Sequence, residues 1–395
     1  MTLASLVQAA CASERLLVGL MSGMSRDGID VALIRVAGRG EAARAVDLVG
    51  SATEPYDAAL RARLARAVGG DLGEVATLGL DLPRVWARAV GRLLARAGVA
   101  PAEVLAIGSH GQTVYHQPRA GAAGAVTLQI GHGEALAALT GLPVVSDFRM
   151  KDVALGGEGA PLIPLADLLL FGRSDQPVAC WNLGSIANVS VLPAVVAPSA
   201  RRGIVAFDTG PANALIDAFA ADVDPSGIDR DGRLSAAGRV DDDLLLAIYQ
   251  RRAAWLRQAP PKSAGFATFG PPLAAELRAA LPEVTPVDRV RTAVEATARM
   301  MRDAFEWHIR PGHDALRLVH LSGGGCRNPT LRAAIAHAFG DLGLVIEPLA
   351  EAWSDAKEAI GFALLADEAL QDRAGNVPAA TGAVRDARLG VLSLP

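Results

Sequence analysis

The chain has 395 residues, 51% of them hydrophobic and 20% charged, which is enough apolar material for a large core and a length better suited to two domains than to one. A formal charge of −4 supplies no cationic field to hold a polyanion, so nucleic acid and anionic membranes are excluded as expected partners. Cys11, Cys180 and Cys326 have no CxxC spacing, which argues against a disulfide framework or a zinc site and fits a reducing cytosol.

Met1 to Ala12 is mildly apolar without a basic leader and is expected to be a frayed extension. Leu16 to Met21, a Gly/Ser turn and Ile29 to Val36 then predict a strand, a tight loop and a second strand. Apolar residues at helical spacing predict amphipathic helices at Tyr56 to Val68 and Leu82 to Ala97. Val104 to Gly108 reads as a buried strand running into a polar loop, Ser109 to Thr113, where α/β proteins place their sites. Near residue 176 the same grammar restarts, with Val178 to Leu183 and Ile186 to Leu192 as strands around a Gly184-Ser185 turn, hinting at two halves built alike. Pro193 to Arg202 reads as a loop. Helices are expected at Ala212 to Ala220, Asp242 to Gln258, Val287 to Ile309 and Glu358 to Ala369, with a strand and glycine turn at Leu316 to Gly325. No apolar run approaches the roughly 20 residues that a bilayer requires.

Several segments carry chemistry. Met21 to Gly28 offers small residues, hydroxyls and amides that suit either a phosphate cradle or a plain hairpin turn. It is neither a Walker loop nor a GxGxxG turn. Asn182 to Asn188 is a second small-residue hairpin, and Ser322 to Gly325 is a turn with three consecutive glycines, which suits either close approach by a ligand or a plain C-cap or tight bend. Asp208 lies at the expected end of a strand before an Ala-rich helix, where it serves either as an N-cap or as a general base. His110 and Gln112 follow a strand. His110, His116 and His132 lack the i, i+4 spacing of a helical metal site, and no metal ligands are assigned. Asp147 to Asp152 followed by Gly156 to Pro161 suits either a sugar- or phosphate-facing loop or a solvated turn.

Taken together, GLMSGMSRDGID, GSHGQTVYH, DFRMKDVALGGEGAPL, NLGSIANVS, FDTGPANALID, DRDGRLSAAG, PPKSAG, SGGGCRNPTL and KEAIGFALLA resemble the anhydro-N-acetylmuramic acid kinases in order and spacing, from about Leu17 to Gly390. The resemblance implies an α/β, two-domain actin-like ATPase fold of ribonuclease H-like sheets with a nucleotide cleft. The domains are expected at 1–176 and 177–395, with the last helix free to pack back on the first. It implies that ATP and water convert 1,6-anhydro-N-acetylmuramic acid to N-acetylmuramic acid 6-phosphate and ADP, with Mg²⁺ offsetting phosphate charge, in a cytoplasmic homodimer.

Carried onto this chain, Gly23, Met24, Ser25, Arg26, Asp27, Gly28, Ile29 and Asp30 form the first phosphate hairpin. Asn182 and Gly184 belong to the second, and Gly323 and Gly324 to the nucleotide wall. Asp208 matches the catalytic aspartate and Glu358 a glutamate at the sugar site, while Arg149, His110 and Gln112 are expected substrate contacts. Met24 replaces a usual Thr, Ser185 a usual Gly, and Lys262 to Ala267 departs from Lys-Ser-Thr-Gly-Arg-Glu, which bears on the acyl or lactyl end of the sugar pocket. A sugar kinase acting on a plain hydroxyl and a non-catalytic sugar sensor are the alternatives; a chaperone-like module would need a partner-binding segment that the chain has no room for.

Overall fold

Two apolar hairpins organise the chain, in a computed structural model that describes residues 2–23, 26–38, 44–117, 124–195 and 198–395. In the first, β1 (Glu14–Ser22) pairs antiparallel with β2 (Gly28–Ala37), and β2 with β3 (Ala45–Pro55). β1 is buried on almost every residue, as befits a central strand covered on both faces. Its other edge pairs in parallel with β4 (Val104–Gln117), which carries the antiparallel β5 (Val126–Ile130) at its end and pairs in parallel with β6 (Val144–Ser146). A short C-terminal strand, Val391–Ser393, closes the β6 edge.

The second hairpin starts an equivalent sheet. β7 (Val178–Leu183), β8 (Ile186–Leu192) and β9 (Val205–Pro211) form an antiparallel meander, and the free edge of β7 takes β10 (Leu318–Ser322) and then β11 (Val345–Pro348) in parallel. The orders β3-β2-β1-β4-β6 and β9-β8-β7-β10-β11 agree in sequence and in strand direction. The hinted duplication is therefore present in the sheets.

The chain groups into two units, Met1–Gly172 with Val195–Ile204 and Asp355–Pro395, and Arg173–Ala194 with Val205–Ser354. Beside the expected 176/177 division, this grouping puts the first boundary at 172/173 and places Val195–Ile204 and Asp355–Pro395, which includes most of the last long helix, with the N-terminal residues. Within the first unit the helix Glu351–Leu370, from Asp355 onward, lies directly on the sheet, because β1 and β4 present glycine to it. A Cβ at Gly19 would stand 1.8 Å from the Ala359 carbonyl oxygen, and one at Gly108 2.1 Å from that of Phe362. A buried ion cluster, Arg15 with Asp367 at 2.8 Å and Arg44 with Asp367 and Glu368, ties the end of that helix to the start of β1. The second unit packs its sheet against helix Pro286–Ala304 around Trp181, Phe219 and Met300.

Four expectations need correction. The N-terminal residues are not frayed: Leu3–Ala10 is a helix capped by Thr2, with Leu6 and Ala10 buried. Ser109 to Thr113 is not a loop, because β4 continues to Gln117 once β5 supplies it with a partner. The second amphipathic helix starts earlier, at Leu72, where Asp71 accepts the Glu74 N–H. Val287 to Ile309 is not one regular helix, since the turn Phe305–Ile309 loosens after Ala304. Among the described residues no disulfide joins Cys11, Cys180 or Cys326, and no helix is long and apolar enough to cross a membrane.

Candidate functional site

In the first unit the turn between β1 and β2 is held from below by buried side chains. Ser22 Oγ donates to Gln112 Oε1 (2.6 Å) and accepts from the Tyr56 hydroxyl (2.8 Å), while Gln112 Nε2 donates to the Gly23 carbonyl (2.7 Å). Gln112 is fully buried, so its amide braces the turn. The two glycines of the turn differ in what they serve. A Cβ at Gly28 would strike the Glu54 carbonyl oxygen at 2.6 Å, so Gly28 is required by the β3 backbone, whereas among the described residues one at Gly23 would meet only Met21 Cε at 3.5 Å. Arg26 has φ +57°, Ile29 is buried in the core, and Met24 and Ser25 lie outside the described residues.

Asp30, half-buried at the start of β2, accepts from Thr53 Oγ1 at 2.5 Å. Burial pushes its carboxyl up, as do the neighbouring Asp27 and Asp355. Glu358, on the helix seated over Gly19 and Gly108, is also pushed up, first by desolvation and then by Asp30, against the pull of Lys357 and Arg149. Its residue is nonetheless exposed to solvent. Lys357 is engaged with buried Asp167 at 3.0 Å.

Arg149 is aimed by a buried histidine. Its Nε donates to His110 Nε2 (3.0 Å) and its Nη1 to the Gly159 carbonyl (2.8 Å). Because Arg149 can only donate, His110 Nε2 must accept, which leaves the ring proton on Nδ1 for the Gly111 carbonyl at 2.8 Å. Burial and the Arg149 charge hold His110 down to about 3, and burial lowers Arg149 to about 10. Asp152 secures the loop from the other side, accepting from Gly159 N (2.9 Å), Asn376 Nδ2 (2.9 Å) and Thr381 Oγ1 (2.8 Å).

In the second unit, the Asn182–Asn188 hairpin gives its turn carbonyls to the helix Asn213–Ala220: Gly184 O accepts from Asn213 N (3.0 Å) and Ser185 O from Ala214 N (2.9 Å). Gly323, at φ +91°, brings the glycine turn onto this hairpin, where a Cβ would stand 2.6 Å from Asn182 Oδ1. Gly324 is exposed, and among the described residues a Cβ there would meet only Asn213 Nδ2 at 3.9 Å. The structure therefore brings Asn182, Gly184, Gly323 and Gly324 together, with open backbone at Gly324.

Asp208 is not an N-cap. It sits within β9 opposite Asn188, and the following helix has Ala212 at its N-cap with no side-chain bond. Asp208 N donates to the Lys262 carbonyl (3.0 Å), and Ala264 N donates to Asp208 Oδ2 (2.6 Å). Burial raises this carboxyl to about 6 against the lowering effect of the Ala264 N–H and the Lys262 charge. Sequence reasoning passed over Lys262 and Ala264 as partners of Asp208; a lone lysine after two prolines was the only local signal. Among the described residues no three His, Cys, Asp or Glu side chains group as a metal site.

Two sheets of one strand order and direction give the chain a duplicated α/β plan, and the family it matches makes it an ATP-dependent sugar kinase. The sequence pattern described as anhydro-N-acetylmuramic acid kinase matches residues 15–394, and the chain belongs to that family. The kinase of that name from Salinibacter ruber is 40% identical over 398 residues, covering 97% of each chain. That from Caldanaerobacter subterraneus subsp. tengcongensis is 35% identical, covering 96% of this chain and 97% of its own. Among solved structures, an activator of 2-hydroxyisocaproyl-CoA dehydratase from Clostridium difficile overlays with a TM-score of 0.42 at 13% identity, covering 90% of this chain and 96% of that one, too loosely to say anything of substrate.

Proposed function

We propose that the chain converts 1,6-anhydro-N-acetylmuramic acid, ATP and water to N-acetylmuramic acid 6-phosphate and ADP, with Asp208 as the general base. The observation that carries this reading is the Asp208 carboxylate itself, raised to about 6 by burial with one oxygen oriented by the Ala264 N–H. A base poised near the working pH takes a proton from water while remaining ionised at neutrality. The water oxygen bonds to C1 of the sugar and its proton passes to Asp208. The C1–O6 bond breaks with its electron pair on O6, O6 bonds to the γ-phosphorus, and the bond to the β-phosphate oxygen breaks to release ADP.

The other roles follow from chemistry and family resemblance. Gly23 to Asp30 and the Asn182, Gly184, Gly323 and Gly324 cluster bind the nucleotide through backbone amides. Arg149, aimed by neutral His110, offers its remaining guanidinium N–H groups to the sugar, and Glu358 accepts from a sugar hydroxyl. Mg²⁺ in kinases takes one or two carboxylates plus phosphates and keeps several waters, and Asp27 and Asp30 beside the first turn fit that sparse donor set. There it would offset charge on the phosphates. The resemblance also supports a cytoplasmic homodimer acting in cell-wall recycling. Turnover in H₂¹⁸O tests the reading: the product should carry the label at C1 as ADP forms. ADP release with an unlabelled phosphosugar would mean a plain-hydroxyl kinase, and no turnover of any amino sugar would mean a sensor.

A further inference from the structure

The base assignment leaves a buried lysine unexplained. Lys262 is 7% exposed, and its ammonium donates to the carbonyls of Leu256 (2.9 Å) and Trp255 (3.4 Å), in the last turn of helix Asp242–Arg257. Last-turn carbonyls lack intrahelical partners and carry the negative end of the helix dipole, so a cation is favoured there. The ammonium also stands 4.4 Å from the centre of the Trp255 ring, on which a cation is attracted to the π face. At its backbone the same residue receives Asp208 N–H, and two residues on Ala264 N–H reaches Asp208 Oδ2. The segment 262–264 thus holds Asp208 at its main chain and its side chain, and is itself moored to the helix end by the Lys262 ammonium and by Trp255 Nε1–H, which donates to the Ser263 carbonyl (3.1 Å).

We propose that Lys262 is a positioning residue for the base: its ammonium, moored on the carbonyls that end helix Asp242–Arg257, keeps the 262–264 segment placed so that Ala264 N–H orients one oxygen of Asp208 and leaves the other to receive the proton. This deepens, and rests on, the reading of Asp208 as the base. Facing Lys262 are Asp208 on β9, Phe207 with its ring centre 5.9 Å away, and His308 from the turn after helix Pro286–Ala304, whose Nε2 lies 3.2 Å from the Leu256 carbonyl. Burial, the Leu256 contact and Lys262 act on His308, with a net downward shift that leaves it neutral above its ordinary range. Lys262 itself is lowered to about 8 by burial, with Asp208 pulling the other way. The mooring is therefore present below pH 8 and fades as the ammonium loses its proton above it.

The test is the pH dependence of the single-turnover rate with ATP, Mg²⁺ and the anhydro-sugar, in wild type, Lys262→Met, Lys262→Arg and Asp208→Asn. Lys262→Met keeps the stem and removes the donor. It should lower the rate at least tenfold, move the acid limb upwards from about 6, and leave the KM for ATP within twofold. Lys262→Arg stays charged and should move the wild-type alkaline limb near 8 to higher pH. A folded Lys262→Met with the wild-type rate and both limbs unmoved overturns the proposal. Should Lys262→Met fail to fold, an alkaline limb that stays at the same pH in Lys262→Arg overturns it instead. Near-normal turnover by Asp208→Asn removes the base assignment; an inactive Asp208→Asn beside unaffected Lys262 variants removes only the role of Lys262.

Discussion

Replacing Asp208 by Asn gives two effects of opposite sign. The carboxyl is raised from 3.8 to about 6 with burial as the largest cause, a free-energy difference on the order of 2–3 kcal/mol between its protonation states. Below pH 3.8 the group is neutral both folded and unfolded, and burial has no charge to penalise. Above about 6 it is charged in both, and the folded state bears the whole penalty. At pH 8 the neutral amide should therefore make the protein more stable than wild type by up to that amount, a rise of a few degrees in Tm, and the gain should vanish near pH 4. Asn still offers an oxygen to the Ala264 N–H, so the local geometry persists. It cannot accept the proton of an attacking water, and loss of a positioned base costs on the order of 10²–10⁴ in rate, about 3–5 kcal/mol of barrier. Turnover of the anhydro-sugar at saturating ATP, melting curves at pH 4 and pH 8, and ATP affinity are the measurements. A more stable protein that binds ATP and has lost turnover fits the reasoning. Near-normal turnover in a folded variant refutes it, because an amide cannot serve as the base and the proton must then go elsewhere.

Three further substitutions probe the first unit. His110→Phe fills the volume but removes the acceptor of Arg149 Nε; a hydrogen bond to a charged group is worth about 1.5–3 kcal/mol, so kcat/KM for the sugar should fall about 10- to 100-fold, and an unchanged value would detach Arg149 from the sugar. Gly23→Val adds bulk where, among the described residues, only Met21 Cε stands within 4 Å, so Tm should hold while calorimetry shows ATP binding weakened at least tenfold; unaltered binding would take this turn out of the nucleotide site. Gly19→Ala places a Cβ 1.8 Å from a helix carbonyl oxygen, an overlap no side-chain rotation relieves, and should cost about 3 kcal/mol or more in urea unfolding; a wild-type midpoint would contradict the close seating of helix Glu351–Leu370 on β1.

Local regularities in the sequence determined the parts of the molecule. The hairpins of β1 with β2 and of β7 with β8, the glycine turns between them and most helices follow from hydrophobic period and turn residues, which depend on neighbours a few positions away. The order and spacing of nine motifs likewise marked the family before any fold was visible. What the tertiary structure decided are the relations between distant residues: Arg149 bonds to His110 across 39 positions, Ala264 to Asp208 across 56 and Gln112 to Gly23 across 89. It also decided that Asp208 lies inside a strand and is no helix cap, that β4 runs on through His110 and Gln112, and that Gly19 and Gly108 are glycine because a helix rests on them. Burial and hydrogen-bond partners are what tune a carboxylate towards neutrality or fix a histidine tautomer, and both arise only when segments far apart in the chain are packed together. The residue types needed for the chemistry are therefore written along the chain, but their protonation and aim belong to the fold.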